Sequence, residues 1–202
     1  MRSLSGDEPS AVGLRERKKA RTRAAIREHA LRLFREQGYE ATTVEQIAEA
    51  AEVSPSTFFR YFPTKEDVVL VDDYDPLIVE AFRAQPAELG PIAALRASMR
   101  AVFGALPPEQ MAQERERMLL IRQVPQLQAG LFEGLASMIQ MVAEVVAERV
   151  GRRSDELPVR NLAGALVGVE IAAALTWADD PGTDMLSLAD AALAHLEAGL
   201  PL

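Results

Sequence analysis

Residues 43–67 read TVEQIAEAAEVSPSTFFRYFPTKED, and this stretch decides the fold of the N-terminal part of the chain. Thr43 and Gln46 have the spacing of a capping box, in which each side chain binds the other residue's backbone N–H. A helix is therefore predicted to begin just after Thr43. Ser54 followed by Pro55 is a second helix start, with serine as the N-cap and proline in the first helical position. Two short helices joined by a three-residue turn are the pattern of a helix-turn-helix.

The second of these helices carries short polar, aromatic and basic side chains of the kind that read DNA. Hydroxyl groups can bond phosphates or bases, a phenylalanine can contact a thymine methyl, and an arginine can reach guanine or phosphate. Phe58 and Phe62 are predicted to lie in the core, whereas Phe59 is predicted to face DNA. The candidates from residue type and position are Ser54, Ser56, Thr57, Phe59, Arg60, Tyr61 and Lys65.

The charge of the chain is unevenly distributed. The 202 residues have a net charge of −8, yet residues 15–35 carry nine basic and two acidic side chains, and residues 71–202 have a net charge of −9. A basic stretch on an otherwise acidic chain favours a polyanionic partner for the N-terminal part only. Within this stretch we expect Arg17–Arg23 to contact phosphates, and Arg27, Arg32 and Arg35 to form a solvated helix face.

Composition and missing motifs exclude several classes of protein. With no cysteine and two histidines, the chain has no disulfide scaffold, no cysteine nucleophile and no cysteine- or histidine-rich metal site. It lacks HExxH, GxGxxG and Walker-type sequences, so we predict no enzymatic activity, no metal and no cofactor. The first residues lack the apolar segment of a signal peptide, and Glu170 interrupts the most membrane-like run, Asn161–Ala178. We interpret that run as a buried helix, and we expect a cytoplasmic protein without a membrane partner.

Apolar residues recur with helical periodicity from Leu14 onwards, and no segment sustains a period of two. The predicted fold is all-α, with a disordered arm at 1–13, a helix-turn-helix domain at 14–70 and a second helical domain at 71–202. Pro76 is predicted to end or kink the helix that opens at Thr64. Proline and glycine punctuate about nine helices, which are Arg15–Gln37, Thr43–Ala50, Pro55–Tyr61, the helix opening at Thr64, Pro91–Leu106, Glu109–Val124, Gln126–Val150, Asp155–Ala178 and Thr183–Gly199.

The pattern TVxxIAxxAxVSxxTFFRYFxxKED, preceded by TRxxI from Thr22 and LFxxxGY from Leu33, resembles the N-terminal signature of TetR-family transcriptional regulators. The resemblance covers about residues 15–70. It implies an all-helical homodimer whose last two helices pair into a four-helix bundle, with residues 71–202 forming a ligand-binding and dimerisation domain. Glu52 departs from the family's frequent glycine in the turn, and Phe58-Phe59 replaces Leu-Tyr. The DNA contacts that the resemblance implies are Thr43, Ser54, Pro55, Ser56, Phe59, Arg60, Tyr61 and Lys65, with Tyr61 and Lys65 on phosphates.

Polar residues on apolar faces are the candidates for a ligand pocket. A buried charge without a partner is costly. Three alternatives are therefore open for Arg122 and Glu170: they pair with each other, they bind a ligand, or they reach solvent. Methionines can line an adaptable apolar cavity, and the alternative is an ordinary core. The stretch at 117–125 is similar to TetR-type regulators described as binding acyl-CoA-like ligands, which implies an elongated, mostly hydrophobic effector. The candidate ligand-binding residues are Phe103, Met118, Arg122, Met138, Met141, Glu170 and Trp177.

Small and leucine side chains in the last two helices are the candidates for a dimer interface. Gly164 and Gly168 permit close helix approach, either within the domain or across a dimer seam. The full candidate set is Gly164, Gly168, Leu186, Leu193 and Leu196. We interpret the chain as a ligand-responsive repressor that binds a pseudo-palindromic double-stranded DNA operator as a homodimer and is released by a small hydrophobic effector. The alternative is a helical ligand- or protein-binding module with a degenerate DNA-binding head.

Overall fold

The computed structural model describes residues 11–180 and 182–202, and all regular structure in that part of the chain is α-helical. The all-α prediction is confirmed. The chain divides into two compact units, Met1–Val68 and Val69–Leu202. The ten helices of the described residues are α1 (Ala11–Gln37), α2 (Val44–Ala50), α3 (Pro55–Tyr61), α4 (Asp67–Leu70), α5 (Asp75–Arg83), α6 (Pro91–Phe103), α7 (Pro108–Gln123), α8 (Pro125–Val150), α9 (Leu157–Asp179) and α10 (Met185–Glu197).

The N-terminal helices lie close to their predicted positions. The helix α3 has the predicted bounds, α2 begins one residue later than predicted, and α1 begins at Ala11 instead of Arg15. Residues 1–10 of the predicted arm lie outside the described residues, and residues 11–13 belong to α1. The division between the two units falls after Val68, two residues before the predicted domain boundary at residue 70.

The prediction that Pro76 ends a long fourth helix was wrong. The helix α4 is a single turn that ends at Leu70, and the chain then turns at Asp72, whose Oδ1 accepts the backbone N–H of Tyr74 at 2.7 Å. Pro76 lies in the first turn of α5. At that position its missing N–H costs no helical hydrogen bond and its fixed φ suits a helix. The proline therefore starts a helix here.

The N-terminal unit is held together by aromatic and branched side chains from its helices. Ile26 and Phe34 of α1 and Ile47 of α2 are almost completely buried. Phe58 and Phe62, at the two ends of the last turn of α3, are 0% exposed, which confirms the prediction that they are core residues. Their rings lie 6.0 Å apart. Burying these residues fixes the rotation of α3, and with it the face that α3 presents to solvent.

The caps and the turn of the helix-turn-helix have the predicted geometry. Thr43 Oγ1 accepts the Gln46 backbone N–H at 3.3 Å, and Gln46 Oε1 accepts the Thr43 backbone N–H at 2.9 Å, which completes the capping box. Ser54 Oγ accepts the Thr57 backbone N–H at 3.1 Å and caps α3. Glu52 lies in the left-handed region with φ +54°, the conformation that a glycine adopts without strain. This strained turn sets the angle between α2 and α3.

The C-terminal unit is built around α9, which packs against α7, α8 and α10. Val159, Ala163 and Leu166 of α9 are buried in one core cluster together with Leu193 of α10. By length and hydropathy alone, two of the described helices, α8 and α9, could cross a membrane. That test is weak evidence, because the core helices of globular domains also pass it. The packing of α9 agrees with the interpretation of Asn161–Ala178 as a core helix.

Candidate functional site

The exposed face of α3 carries most of the predicted DNA-contact residues. Phe59 is 49% exposed, and its ring stands edge-to-face against the buried ring of Phe58 at 5.5 Å. Arg60 is exposed beside Tyr61, with its guanidinium carbon 5.5 Å from the centre of that ring. The exposed members of the predicted set are Thr43, Ser54, Pro55, Ser56, Phe59 and Arg60, and the half-buried ones are Thr57, Tyr61 and Lys65. The helix thus buries one aromatic face and offers a second face to solvent.

Ser54 has a local structural role as well as an exposed position. Its hydroxyl donates to Thr57 Oγ1 at 3.0 Å and lies 2.9 Å from Ser56 Oγ, in addition to accepting the Thr57 backbone N–H. The first turn of α3 is therefore held by a small hydroxyl network. Such a network fixes Ser56 and Thr57 before any contact with DNA.

Lys65 is more deeply engaged in the fold than its predicted phosphate contact implies. Its ammonium donates to the carbonyl oxygens of Tyr39 at 3.0 Å and Thr42 at 3.2 Å, and it lies 4.1 Å from the centre of the Tyr39 ring. The Tyr39 hydroxyl donates to Glu66 Oε1 at 2.8 Å, and burial together with that carboxylate raises the pKa of Tyr39. Lys65 thereby stabilises the loop between α1 and α2. This structural role comes in addition to any phosphate contact that it makes.

Arg23 and Arg27 also have roles that sequence reasoning missed. Arg23 Nη1 donates to the Tyr61 carbonyl at 3.1 Å, and its guanidinium carbon lies 4.4 Å from the centre of the Phe62 ring. Arg27 Nε donates to the Val68 carbonyl at 3.1 Å. A cation at the last carbonyls of α3 is favourably placed in the field of that helix. Arg27 was expected on a solvated face and Arg23 at a phosphate, whereas Arg23 ties α1 to the end of α3 and Arg27 ties α1 to α4.

The basic side chains before Arg23 remain on the surface. Arg15, Arg17, Lys18, Lys19 and Arg21 are all exposed. They give the N-terminal unit a cationic strip along α1, which can attract phosphates without holding the fold together.

The C-terminal unit encloses a cavity of about 240 Å³. This volume exceeds the roughly 150 Å³ that holds benzene in an engineered protein core. Side chains of α5 to α10 line it, and most of them are apolar. The predicted ligand-binding residues on its wall are Phe103, Met118, Met138, Met141, Glu170 and Trp177. These side chains come from four helices and are far apart in sequence, so the fold brings the predicted set together.

Arg122 is the predicted ligand-binding residue that does not line this cavity. Its Nε binds Asp179 Oδ1 at 2.7 Å, and both side chains are about half exposed. Arg122 instead borders a second cavity beside Gln128 and Phe132. Its guanidinium is therefore engaged by Asp179 and not by Glu170.

A buried ionic cluster at one end of the cavity was not predicted. Arg117, with a side chain 5% exposed, donates from Nε to Glu114 at 2.8 Å and from Nη2 to Asp72 at 2.6 Å. Its Nη1 donates to the Val69 carbonyl at 3.0 Å. Burial alone lowers the pKa of Arg117, but the neighbouring carboxylates raise it, so the guanidinium stays charged. The available signal was the i,i+3 spacing of Glu114 and Arg117, the spacing of an ion pair on one helix face.

Two carboxyl groups on the cavity wall have raised pKa values. Burial, reinforced by the charge of Asp72, raises the pKa of Asp75 to about 6, while Arg117 opposes the shift. Burial alone raises the pKa of Glu170 to about 7. Glu170 Oε1 is buried and has no hydrogen-bond partner within residues 11–180 and 182–202. Glu170 is therefore a half-buried residue whose Oε1 is buried, and no described side chain of the protein pairs with that oxygen.

The residues predicted at a dimer seam are divided between the core and the surface. Leu193 is 0% exposed and Leu196 packs against the same core cluster, so Leu193 serves the interior of its own chain. A Cβ at Gly164 would lie 4.0 Å from Ile139 Cδ1 of α8, which supports close approach within the domain. Gly168 is exposed and Leu186 is half-buried. Of the five, Gly168 keeps the most accessible position.

Comparison with known proteins identifies the family. Residues 26–71 match the family described as bacterial regulatory proteins of the tetR family, and residues 89–201 match the MftR C-terminal domain. The chain belongs to the TetR family of transcriptional regulators. The N-terminal and the C-terminal part of the chain thus each match a family of TetR regulators, and the predicted resemblance is confirmed.

Relatives and solved structures of TetR regulators support this assignment over most of the chain. The HTH-type transcriptional regulator TcmR of Streptomyces glaucescens is 39% identical over 155 residues, which are 73% of this chain and 69% of TcmR. A putative mycofactocin biosynthesis regulator, MftR of Mycobacterium tuberculosis, is 27% identical and covers 91% of this chain and 93% of its own. Thermus thermophilus FadR, a TetR-family repressor solved with lauroyl-CoA, superposes with TM-score 0.54 at 28% identity, covering 89% of this chain and 95% of its own.

All of these relatives and both family models are transcriptional regulators. The prediction that the chain is not an enzyme is confirmed by that agreement. The N-terminal unit is a DNA-binding helix-turn-helix of the TetR type.

Proposed function

We propose that this protein is a ligand-responsive repressor, which binds a pseudo-palindromic operator as a homodimer and leaves it when a small hydrophobic effector fills the cavity. The observation that carries the proposal is the combination of two features in one chain. The N-terminal unit offers an exposed, preorganised recognition helix, and the C-terminal unit encloses a largely apolar cavity. A regulator that senses a small molecule needs both.

The DNA contact is assigned to the exposed face of α3. Insertion of this helix into the major groove would bring Ser56, Phe59 and Arg60 to base edges, where an arginine can bind guanine and a phenylalanine can pack on a thymine methyl. Pro55 is proposed to lie near the bases with Ser56 and Phe59. Thr43, Ser54, Thr57, Tyr61 and Lys65 flank that face and are proposed to contact the operator, with Tyr61 and Lys65 on phosphates. The cationic strip of α1 adds sequence-independent attraction to phosphates.

The two-fold symmetry of a homodimer matches the pseudo-palindromic symmetry of the operator. Two heads related by a two-fold axis would read two half-sites separated by about 34 Å, or a multiple of that distance. We assign the subunit contact to the surfaces of α9 and α10, with Gly168 and Leu186 as accessible members. Such a soluble regulator would act in the cytoplasm, without a membrane partner.

The buried ionic cluster gives a route from the cavity to the DNA-binding head. Val69 follows directly on Val68, the last residue of the N-terminal unit, and its carbonyl accepts a hydrogen bond from Arg117. Arg117 also lines the cavity together with Asp72. An effector that displaces Arg117 would thus change the path of the chain segment that leads into the head. A coupling of about 1–3 kcal/mol would weaken operator binding about 5- to 150-fold.

The nature of the cavity wall supports a hydrophobic effector. Methionine, leucine and aromatic side chains dominate it, and methionine adapts to irregular shapes. The FadR structure with lauroyl-CoA shows that a protein of this family can hold a ligand with a long apolar chain.

Selection of bound duplexes from a randomised DNA pool tests the proposal. An enriched pseudo-palindrome bound by two chains would support the operator and the dimer together. Phe59→Ala should change the enriched bases without unfolding the head, whereas Arg35→Ala, exposed at the far end of α1, should not change them. Weak, salt-sensitive binding without enrichment would instead favour the alternative function, a ligand- or protein-binding module with a degenerate head.

A further inference from the structure

The cavity of the C-terminal unit has an excess of acidic groups. Of the described residues on its wall, four are acidic and one is basic. The acidic ones are Asp72, Asp75, Glu114 and Glu170, and the basic one is Arg117. A largely apolar wall lowers the local dielectric, so these few charges act strongly on anything that enters. The cavity therefore selects its ligand by charge as well as by size.

Arg117 does not offer its positive charge to a ligand. Its Nε, Nη1 and Nη2 donate to Glu114, to the Val69 carbonyl and to Asp72, at 2.8, 3.0 and 2.6 Å. An anionic head group would have to break these hydrogen bonds and approach two carboxylates at the same time. Acyl-CoA and fatty acid head groups, which carry negative charge, are disfavoured for this reason.

Glu170 offers the opposite charge. It projects from the middle of α9 onto the cavity wall, and its Oε1 is buried without a hydrogen-bond partner in the described part of the chain. Burial raises its pKa to about 7, so near neutral pH a large share of molecules carry an uncompensated negative charge there. An unpaired buried charge is costly, and a positively charged N–H donor would remove that cost.

We infer that the effector is a hydrophobic amine, whose protonated nitrogen binds the Glu170 carboxylate while its apolar part fills the cavity. This inference rests on the proposed function, because it specifies the chemistry of the effector that the cavity takes. The nearby Asp75 strengthens the preference for a cation, since it adds negative charge to the same cavity. The methionine and aromatic walls accommodate the apolar part.

Three probes with one chain and different head groups test the inference. Decylamine, decanol and decanoate carry a positive, a neutral and a negative head group at pH 7.5. Trp177 is the only tryptophan of the chain and lies on the cavity wall, so its fluorescence reports occupation. Decylamine should bind at least ten-fold more tightly than decanoate, at one molecule per chain. Glu170→Gln should weaken decylamine about ten-fold, the scale of a charge-assisted hydrogen bond, and leave decanol unchanged.

Glu133→Gln is the matched control, because Glu133 is exposed on α8 and is absent from the cavity wall. It should bind all three probes as the unsubstituted protein does. Equal binding of the three probes, or a preference for decylamine that survives Glu170→Gln, would overturn the inference and leave the proposed hydrophobic effector site in place. Failure of all three probes to bind would remove the effector site itself from this cavity, and the inference with it.

Discussion

Replacing Glu170 by glutamine should change how the stability of the C-terminal unit depends on pH. The substitution keeps the size of the side chain and removes the acid. Burial raises the pKa of this carboxyl from an ordinary 4.5 to about 7 in the folded protein. The folded state therefore binds more protons than the unfolded state between these values, and stability falls as the pH rises through that window.

The magnitude follows from the pKa difference. At pH 8 the carboxyl is ionised in both states, and the cost of burying its charge is about 3 kcal/mol at 1.36 kcal/mol per pKa unit. At pH 5 the cost is about 1 kcal/mol, because the folded carboxyl is still protonated. The unsubstituted protein should thus lose about 2.5 kcal/mol relative to Glu170→Gln between pH 5 and pH 8. Asp75 is present in both proteins, so its own titration cancels from the difference.

Urea unfolding at pH 5, 6, 7 and 8, followed by Trp177 fluorescence, measures this difference in the C-terminal unit. Glutamine at position 170 should make the protein more stable by about 3 kcal/mol at pH 8 and by about 1 kcal/mol at pH 5. The exposed control Glu133→Gln should follow the unsubstituted protein at every pH. Parallel curves for Glu170→Gln and the unsubstituted protein would refute the reasoning, because they would mean that this carboxyl is not desolvated.

Substitutions at four further positions, three in the head and one in the ionic cluster, test the account. Arg60→Ala should weaken operator binding by about 1–3 kcal/mol and relax the base preference at the position that Arg60 contacts, with unfolding unchanged. Lys65→Ala should also destabilise the N-terminal unit by about 2 kcal/mol in thermal unfolding, because two backbone carbonyls lose their charged donor; an unchanged Tm would refute its structural role. Glu52→Gly should stabilise the turn by about 1 kcal/mol in urea unfolding, since it relieves a positive φ, while Glu52→Ala should not. Arg117→Met should cost about 3–5 kcal/mol by leaving buried carboxylates unpaired, and adding Asp72→Asn should recover part of that loss.

Local sequence signals predicted the helix-turn-helix well. The capping box at Thr43 and the Ser54-Pro55 start depend on residues within four positions of each other, so their spacing alone determines the structure. The burial of Phe58 and Phe62 follows from helical periodicity in the same way. The left-handed Glu52 was also predictable, because a three-residue turn between two helices requires that conformation and a glycine is missing.

Contacts between residues that are distant in sequence explain where the predictions from the sequence failed. Lys65 binds carbonyls 23 and 26 residues away in sequence, and Arg23 binds a carbonyl 38 residues away. The residues next to them in sequence therefore do not distinguish them from lysines and arginines that bind phosphate. The break between α4 and α5 is likewise stabilised by Arg117, which lies 45 residues beyond Asp72. Local composition favoured a continuous helix there, and tertiary contacts decided otherwise.

The candidate ligand site likewise contains residues that local sequence patterns predicted and residues that they did not. Methionines and aromatics on apolar helix faces predicted most of the cavity wall, and Glu170 stood out as a lone charge in an apolar run. Arg122 shares the helical face of Met118 by its spacing, yet it pairs with Asp179 and does not line this cavity, so its ligand role stays a prediction. Arg117 was missed because it lies in a run of charged residues, Glu114 to Arg117, that resembles a solvated surface.

Release of DNA by a cavity ligand tests the central claim most directly. A labelled duplex carrying the selected operator is bound to the protein, and the tightest binder of decylamine, decanol and decanoate is added while fluorescence anisotropy reports the bound DNA. Ala174→Leu, which places a larger side chain on the cavity wall, is the comparison. We predict that the probe weakens operator binding 5- to 150-fold in the unsubstituted protein and has little effect on Ala174→Leu. Full occupation of the cavity, reported by Trp177, without any release of the duplex would contradict the account.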